Sequence, residues 1–597
     1  MNILNIVVTL LLAFNQTTSP DGKYRAYTTE EHNLVVENLE EGYCQPLTSD
    51  GSETILNGYA SWVYYEEIFG RASNYKAFWW SPDSKKLAFY RFDNGEVPLF
   101  PIYSAQGQRG SLLNTRYPKA GEPNPVVRIG IVDMEKGGEI QWADFPITGE
   151  QYFGTPFWSQ DSKSLYVQWM PRVQQELRLY RLDVESGKST CVYSESSETW
   201  VDWMEDMLFT SKGLYMVRDT NDDWQQIYFL SYDGKTLKKL TSGENWRVKL
   251  LDIDPQGRVY FTAHRDSKVH SCLYRVNQKG KIERLTIDFQ HASDVEFSED
   301  FKYFEVNHSD INTQPRRFRY KTGSFEMEQL TLCNKVAQPS PYTEIIYLKM
   351  EDGLEVPAAI TLPKDFDPQK KYPLVMEIYG GPNTAYVRNW WRGGYERKLW
   401  YYENGIIKVV ADCRASGHNG RKGLDLIYED LVTVPVNDFV AWAKYFSELP
   451  YVDSDRIGVE GFSFGGSMTT MLLMTHPEYF RCGIAGGGVY DWMLYDTHYT
   501  ERFMNTPQNN PQGYEKAKVL NYVQYYDSSR SMLKLTHGTG DDNVHFQNTL
   551  QLIDALQRED EQFELMIYPD GMHGYRGEQG VHDMHSDWKF WAEYLNL

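Results

Sequence analysis

The stretch RIGVEGFSFGGSMTTMLLM, Arg456–Met474, joins a strand-like apolar run to a helix-like run through a glycine-rich turn. Its centre, GFSFGG, matches the Gly-x-Ser-x-Gly pattern, in which small residues let the chain turn sharply and hold a serine exposed at the end of a strand. The pattern predicts that Ser463 is a nucleophile and that the backbone N–H of Phe464 faces a developing oxyanion. A glycine-rich packing turn is the alternative, but the strand before the turn and the helix after it favour the nucleophile.

Outward from this stretch, residues 341–597 alternate between strand-like and helix-like runs. The strand-like runs are apolar and end in turn or loop residues, and the runs between them have apolar residues at helical spacing. The strand-like runs are Pro373–Gly381, Ile406–Cys413, Arg456–Gly461, Met532–Gly538 and Glu564–Gly571, and the helix-like runs include Val436–Phe446 and Asn548–Gln557. Apolar strands separated by helices predict a parallel sheet covered on both faces, as in an α/β-hydrolase domain.

A serine nucleophile needs a base that accepts its proton and an acid that orients the base. In this fold the order along the chain is serine, acid, histidine. The acid is expected after the strand Met532–Gly538, where Asp541 and Asp542 are both candidates. The base is expected in the loop after the last strand, and His573 is the only histidine directly after that strand.

Two further groups of residues are candidates for substrate contacts. Tyr379 follows a strand, so its hydroxyl could be a second oxyanion donor, although on the residues alone a packed tyrosine is the favoured interpretation. Glu66 and Glu67 are adjacent acids in the aromatic run Trp62–Gly70. In a plain strand one of them would face the core, so the pair predicts a bulge or short helix that presents both to a cavity, where they could bind an ammonium group. A solvated surface pair is the alternative that the residues alone favour.

Residues 1–340 consist of short aromatic and β-branched runs separated by turn residues. A hairpin phrase, typically Asp-Gly or Asp-Ser followed by an apolar strand, starts at Ser19, Ser81, Ser159, Thr210, Asp254 and Ser298. Repeats of about 40–50 residues with several strands each are typical of propeller blades. A β-sandwich of ordinary hairpins is the alternative. The change of pattern near Ala337–Tyr342 predicts a linker between a propeller domain, residues 1–340, and a hydrolase domain, residues 341–597.

Composition excludes several classes of protein. The net charge of −22 opposes binding to nucleic acid, and 41% apolar with 24% charged residues is typical of a globular chain. The six cysteines form no CxxC pair and have no histidine cluster beside them, so no metal site is expected. The apolar run Ile3–Phe14 is either the core of a signal peptide, which predicts export, or a buried strand, which would allow a cytoplasmic location.

Several long strings carry a more specific signal: WVYYEEIFG from Trp62, YGGP from Tyr379, GFSFGGSMTT from Gly461, HGTGDDNVHFQNT from His537 and YPDGMHGYRG from Tyr568. Together they resemble the dipeptidyl peptidase IV branch of the prolyl oligopeptidase family, and the match runs from about Ser19 to Leu597. The resemblance implies an eight-bladed β-propeller that caps an α/β-hydrolase, with the active site between them and no cofactor. It also implies the release of dipeptides from free amino termini, with proline, less often alanine, as the second residue.

Position by position, the resemblance makes Ser463 the nucleophile, His573 the base and Asp541, rather than Asp542, the acid. Tyr379 matches an oxyanion donor, and Glu66 with Glu67 matches the pair that binds the substrate's amino terminus. The other matches are Asn543, which polarises a substrate carbonyl, and the proline-pocket residues Val489, Trp492, Tyr495, Tyr499, Val544 and Phe464.

Relatives have additional residues before the point where the match begins. The propeller is therefore expected to be truncated by one or two N-terminal blades, and with them to lack an arginine that helps to hold substrate in some relatives. A tripeptidyl or acylaminoacyl peptidase of the same family is one alternative, and the glutamate pair favours a free amine over an acylated terminus. A catalytically inactive binding protein is another, but nucleophile, acid and base are all present. Peptides with a free amino terminus are the expected partners, and a homodimer is left open.

Overall fold

The repeated hairpin phrases of the N-terminal half belong to six antiparallel sheets of four or five strands each. The computed structural model describes residues 15–145, 149–220, 222–330, 341–393 and 395–597. The apolar run Ile3–Phe14 and residues 337–340 of the predicted linker lie outside these ranges. Six sheets occur in the described part, whereas the resemblance implies eight blades for the family.

The six sheets follow one another along the chain. The first contains β1 (Thr17–Thr18), β2 (Tyr24–Thr28), β3 (Leu34–Asn38) and β4 (Tyr43–Pro46). The second begins with β5 (Ile55–Asn57), β6 (Phe78–Trp80) and β7 (Lys86–Asp93), continues after a separate hairpin of β8 (Leu99–Ser104) and β9 (Ser111–Arg116), and ends with β10 (Val126–Asp133) and β11 (Ile140–Trp142). The third contains β12 (Gln151–Phe153), β13 (Phe157–Trp158), β14 (Ser164–Pro171), β15 (Glu176–Asp183) and β16 (Ser189–Ser196).

The last three sheets have four strands each. The fourth contains β17 (Met207–Phe209), β18 (Gly213–Arg218), β19 (Gln226–Ser231) and β20 (Leu237–Lys239). The fifth contains β21 (Trp246–Ile253), β22 (Val259–His264), β23 (Cys272–Val276) and β24 (Ile282–Arg284). The sixth contains β25 (His291–Phe297), β26 (Tyr303–Asp310), β27 (Thr313–Lys321) and β28 (Met327–Gln329).

Each of the six hairpin phrases forms one turn in one of the six sheets, immediately before β2, β7, β14, β18, β22 or β26. In the first turn the Ser19 hydroxyl donates to the Asp21 carboxylate at 2.7 Å, which fixes the turn locally. The next position has a positive φ, 78° at Gly22 and 65° at Ser84, which explains the preference for a small residue there. The sequence repeat is therefore a repeat of turn geometry.

Neighbouring sheets are joined by hydrogen bonds and by shared cores. The backbone N–H of Asp21 donates to the Ser84 hydroxyl at 2.9 Å, and that of Asp83 donates to the Ser162 hydroxyl at 3.1 Å, so the first turn contacts the second and the second contacts the third. Buried apolar clusters link the first sheet to the second, the second to the third and fourth, the fourth to the fifth, and the fifth to the sixth. This succession of packed sheets confirms the propeller prediction over the sandwich.

The C-terminal half is built on one eight-stranded sheet in the order β29-β30-β32-β31-β33-β34-β35-β36. Its strands are β29 (Thr343–Lys349), β30 (Glu355–Thr361), β31 (Tyr372–Ile378), β32 (Ile407–Ala411), β33 (Val452–Phe462), β34 (Cys482–Gly486), β35 (Met532–Gly538) and β36 (Glu564–Tyr568). From β32 to β36 the strands are parallel, as predicted. The exceptions are at the other edge, where β29 pairs with β30 and β30 pairs with β32 in antiparallel fashion; the short β29–β30 connection does not allow parallel pairing.

Eight α-helices accompany this sheet in the described residues. They are α1 (Tyr395–Glu403), α2 (Gly420–Leu424), α3 (Thr433–Ser447), α4 (Phe464–Thr475), α5 (Thr497–Met504), α6 (Pro511–Ala517), α7 (Gln547–Arg558) and α8 (Glu578–Tyr594). Helix α4 is buried almost throughout because it packs directly on β33 and β34. The helix thus fixes the position of the serine that precedes it.

The two halves share a core and a set of polar contacts. Trp200 and Trp246 of the propeller half are buried in the same apolar cluster as the strands of the hydrolase sheet. The Trp246 indole N–H donates to the Asn383 side chain at 3.0 Å, and Arg172 pairs at 2.6 Å with Glu501, a fully buried residue of α5. Loops of the propeller are therefore held at the carboxyl edge of the hydrolase sheet, where ligands bind in α/β folds.

Candidate active site

Ser463 occupies a strained turn between β33 and α4. Its φ is 59°, in the left-handed region that disfavours a residue with a side chain, and its N–H donates to the Gly486 carbonyl at 2.8 Å. A Cβ atom on Gly461 would lie 2.4 Å from the Gly465 backbone, and one on Gly465 would lie 2.5 Å from the Ile378 carbonyl oxygen. Both glycines are thus required by close packing, and the geometry is that of a nucleophile elbow.

The two candidate acids face different partners. The Asp541 carboxylate lies 2.7 Å from Nδ1 of His573, whereas the Asp542 carboxylate pairs with Arg71 at 2.9 Å. Only Asp541 can therefore orient the imidazole. Between His573 and Ser463, both described, no hydrogen bond is formed; such catalytic contacts often tighten only when substrate binds.

Asp541 is held by several donors in a buried position. It is 1% exposed, and the backbone N–H groups of Asn543 and Val544 each donate to it at 3.0 Å. Burial alone would raise the pKa of Asp541, but hydrogen bonds to His537 and His573 outweigh it and hold this pKa well below the ordinary value. The carboxylate is therefore charged over the physiological pH range, as stabilisation of an imidazolium requires.

Two donors are available to a developing oxyanion. Phe464 is the first residue of α4, and an N–H at this position has no partner within the helix. Tyr379 directly follows β31, its ring stacks on that of Tyr386 at 5.1 Å, and burial raises the pKa of its hydroxyl. A hydrogen bond with the Ser463 hydroxyl counteracts that rise, so the Tyr379 hydroxyl lies beside the candidate nucleophile.

The predicted proline-pocket residues come together as a box of aromatic rings. The Trp492 and Tyr499 rings are nearly parallel, with centroids 6.2 Å apart, and Tyr495 meets Tyr499 edge-on at 5.4 Å. Val489 and Val544, 2% and 0% exposed, belong to the same buried cluster. A flat apolar slot of this kind suits a rigid ring that has no N–H to be satisfied.

The acidic pair lies on a π-helical turn, Tyr64–Ile68, in agreement with the expectation of a short helix rather than a plain strand. Glu66 accepts a hydrogen bond from the Asn543 side-chain amide at 2.7 Å. The carbonyl oxygen of the same amide accepts from the Tyr495 hydroxyl at 2.7 Å. Asn543 thus connects the propeller acid to the aromatic box, and π-helical turns are frequent at functional sites.

Glu67 lies among other acids. Burial, followed by the charges of Asp496 and Glu66, raises the pKa of Glu67 well above its ordinary value. Burial also raises the pKa of Asp496 to about 7. Besides burial, the charge of Glu67 raises the pKa of Tyr495, so this carboxyl lies near the aromatic box. The charges of Arg502 and Arg71 lower the pKa of Glu67, but burial and the neighbouring acids outweigh them, and a ligand cation would stabilise the carboxylate.

Arg71 is a residue of the site that sequence reasoning missed. Its guanidinium pairs with Glu66 and, in a two-pronged contact, with Asp542. It lines a cavity of about 660 Å³ together with Glu66, Asn543 and His573. Arg71 belongs to a blade that is present, between β5 and β6, so it is distinct from the arginine that was expected to be lost with the N-terminal blades. In the sequence, the only indication of its role was its position shortly after the two glutamates, because its partner Asp542 lies 471 residues away.

Comparisons with known proteins agree with this geometry. Residues 13–315 match the model of the dipeptidyl peptidase IV N-terminal region, and residues 394–597 match that of the prolyl oligopeptidase family. The crystal structure of Porphyromonas gingivalis dipeptidyl peptidase 4 is similar, with a TM-score of 0.89 and 29% sequence identity, over 97% of this chain and 82% of that one.

Curated relatives are similar over most of this chain. A probable dipeptidyl-aminopeptidase B from Uncinocarpus reesii is 29% identical over 96% of this chain and 67% of the relative, and one from Emericella nidulans is 31% identical over 91% and 64%. The chain thus spans about two thirds of the length of the curated relatives that it matches. On the family models, the relatives and the shared architecture, this chain belongs to the dipeptidyl peptidase IV branch of the prolyl oligopeptidase family.

Proposed function

We propose that this protein is a serine exopeptidase that releases Xaa-Pro, and less readily Xaa-Ala, dipeptides from the free amino terminus of peptides. The observation that carries this proposal is the 2.7 Å hydrogen bond between Glu66 and Asn543. It connects an acidic pair on the propeller to the loop that contains Asp541, so a cation site lies a short, fixed distance from the serine. A substrate held by its α-ammonium at one end and its scissile carbonyl at the other has room for few residues between them.

The proposed reaction follows from the roles of the nucleophile and its partners. His573 accepts the Ser463 proton as the oxygen attacks the carbonyl carbon, while Asp541 holds Nδ1–H and stabilises the imidazolium. The tetrahedral oxyanion accepts hydrogen bonds from the Tyr379 hydroxyl and the Phe464 N–H. The C–N bond then breaks, and His573 gives the proton to the leaving amine. Water attacks the acyl-enzyme in the same way and frees the dipeptide.

The proposed cleavage position depends on three groups. The second residue of the substrate, a proline, occupies the aromatic box of Trp492, Tyr495 and Tyr499. The amide of Asn543 polarises the carbonyl of the first residue, and Glu66 with Glu67 binds its ammonium. A longer segment before the scissile bond would displace the ammonium from the acids.

Replacing the nucleophile tests the chemistry. Ser463→Ala should abolish hydrolysis of Ala-Pro-nitroanilide, because triad members act as a unit whose loss reduces kcat by on the order of 10⁶. The variant should keep the wild-type circular dichroism spectrum and thermal midpoint, and it should lose labelling by a fluorophosphonate probe. Near wild-type turnover by this variant would refute the assignment.

Removing the acidic pair tests whether it sets the number of substrate residues before the scissile bond. The double variant Glu66→Gln, Glu67→Gln should lose about ten- to a hundred-fold in kcat/KM on Gly-Pro-nitroanilide, because charge-assisted bonds are worth roughly 1.5–3 kcal/mol each. On N-acetyl-Gly-Pro-nitroanilide, which has no ammonium, the loss should be much smaller. The matched control is Glu40→Gln, Glu41→Gln, an adjacent exposed pair remote from the site, which should leave both rates unchanged. Equal losses on both substrates would mean that the pair is structural.

The raised pKa of Glu67 predicts that ammonium binding releases a proton. Burial and neighbouring acids favour the protonated carboxyl in the free protein, whereas a bound ammonium favours the carboxylate, so affinity should fall as the pH is lowered. We expect proton release on binding at a pH below the α-amine pKa of about 7.7–8.0, where the ammonium is already charged. Calorimetric titration of Ser463→Ala with an Ala-Pro peptide in two buffers of different ionisation enthalpy measures this release. The release should vanish when Glu67→Gln is added; a binding enthalpy independent of the buffer would contradict the prediction.

We also infer a homodimer, which the β8–β9 hairpin supports. Leu112 and Leu113 are each 61% exposed and Tyr103 is 56% exposed, and apolar clusters of this kind on a projecting element are typical of protein interfaces. Light scattering should give twice the mass of the chain. Leu112→Asp with Leu113→Asp should give the single mass, whereas the control Leu237→Asp, at another exposed leucine, should not. A monomeric wild-type protein would contradict the inference.

Export is proposed from the sequence alone. Its support is the apolar run Ile3–Phe14, read as the core of a signal peptide. Within the described residues, no helix has the length and hydropathy needed to cross a bilayer. A cytoplasmic location is the alternative if the run is a strand.

A further inference from the structure

A basic pocket lies beside the oxyanion tyrosine, on the side away from the aromatic box. It is a cavity of about 340 Å³ between α1 and the β29–β32 edge of the hydrolase sheet, and it contains the side chains of Arg388, Arg392 and Lys398. Two indole rings, Trp390 and Trp391, form part of its wall. Such a concentration of cations stands out in a chain with a net charge of −22.

The charges of this pocket are not balanced. Two further cations in its wall are paired: Lys408 with Glu377 and Glu460, and Arg397 with Asp583 and Asp587. By contrast, no carboxylate of the described residues lies within 4 Å of the Arg388, Arg392 or Lys398 head groups.

The contacts and pKa values of Arg388 and Lys398 agree with the lack of a carboxylate partner. The Arg388 Nε–H donates to the Ala385 carbonyl, and its guanidinium lies 5.0 Å from the centre of the Trp390 ring. Burial, followed by the charge of Arg392, lowers the pKa of Arg388, and burial lowers the pKa of Lys398 to about 8. A carboxylate entering the pocket would relieve this repulsion.

A row of rings connects the aromatic box to this pocket. Trp492 lies 5.4 Å from Phe464, Phe464 lies 5.9 Å from Tyr379, and Tyr379 stacks on Tyr386 at 5.1 Å. Tyr386 is itself part of the wall of the basic pocket. The oxyanion tyrosine thus stands between the box and the cations. If the residue before the scissile bond occupies the box, the residues after it extend toward Tyr386.

A second connection runs beneath the elbow. A smaller cavity of about 100 Å³ is lined by Gly461 and Phe462, the two residues before Ser463. It shares Glu377, Tyr386 and Arg397 with the basic pocket. The Phe462 ring lies 5.0 Å from that of His573, which donates the proton to the leaving amine in the proposed reaction. The wall of this smaller cavity also contains the carboxylates of Glu377, Glu460, Asp583 and Asp587, so among the described residues of the two walls the unpaired cations lie only in the basic pocket beyond Tyr386.

We propose that the basic pocket binds carboxylates of the peptide segment that follows the scissile bond, so that the enzyme prefers peptides that are acidic on this side. The carboxylate comes from an Asp or Glu side chain, or from the C terminus of a short peptide; the cations recognise the same chemistry in both. The direction of the peptide in this proposal rests on the proposed function. The Trp390 and Trp391 rings offer apolar surface to the intervening residues.

Matched peptides test the preference. The substrates are Ala-Pro-Xaa-Xaa-Xaa amides with Asp, Asn or Lys at the three positions, and Ala-Pro-Ala-Ala as the free acid or the amide. We expect kcat/KM to fall in the order Asp, Asn, Lys, with a ratio of about three to ten between Asp and Asn, because partly exposed ion pairs contribute modestly. A preference for the free acid over the amide would show that the C-terminal carboxylate is also bound. The Asp preference should shrink at about 0.5 M salt, where screening is strong.

Charge variants locate the effect. Arg392→Gln with Lys398→Gln should bring the Asp-to-Asn ratio close to one. The control, Lys444→Gln with Arg558→Gln, changes the net charge equally at exposed positions outside the pocket, and should keep the wild-type ratio. Because the readout is a ratio within one protein, partial loss of folded enzyme does not affect it. A ratio that is close to one in the wild type, or that is the same in the pocket variant and the wild type, would overturn the proposal.

Binding to an inactive variant separates this proposal from the proposed function. In a Ser463→Ala background, calorimetry should give tighter binding of the Asp peptide than of the Asn peptide, and the pocket substitutions should remove the difference. Equal affinities for the two peptides would overturn the pocket while leaving dipeptide release intact. If instead the wild type releases no dipeptide but the selective binding is seen and depends on Arg392 and Lys398, the proposed function fails and the anion site stands.

Discussion

The candidate site depends on the loop Asp541–Val544, because each of its four consecutive residues contacts a different part of the site. Asp541 orients His573, Asp542 pairs with Arg71, and Asn543 bonds both to the Glu66 carboxylate and to the Tyr495 hydroxyl. Val544 is fully buried in the wall of the aromatic box. An extended or tightly turned segment sends successive side chains in different directions, so a single loop couples the catalytic acid to the substrate-binding groups.

Electrostatics explains why the site suits a cation and not merely a polar group. Burial raises the pKa of Glu66, Glu67 and Asp496, and the charge of Glu66 raises the pKa of Glu67 and of Asp496 further. Bringing like charges together in a sheltered region is unfavourable unless a positive charge joins them. Arg71 supplies part of that charge to Glu66, but it also pairs with Asp542. At Glu67 the charges of Arg502 and Arg71 do not outweigh burial and the neighbouring acids, so a further cation would stabilise its carboxylate.

Local patterns allowed much of the fold to be predicted, since they are set by neighbouring residues. The elbow at Ser463 is of this kind, because the strand before it and the helix after it are adjacent to it in the sequence. The hairpin turns are also of this kind, because a positive φ recurs within their short repeated phrase. Strand β34, CGIAG, was missed, because four of its five residues are small and give little β-propensity and no periodicity. Arg71 was missed for a different reason: its role depends on a partner that only the tertiary fold brings near.

The acidic pair and the catalytic serine lie on separately built halves of the chain, joined at Asn543. In the proposed function, the number of residues removed in each cycle depends on the spacing between a propeller loop and a hydrolase strand end, rather than on either half alone. A change of a few residues in the π-helical turn could shift the cleavage register while the catalytic machinery stays untouched. In such an architecture the length of the released segment can change through the propeller, whereas the choice of the residue before the scissile bond stays with the aromatic box of the hydrolase half.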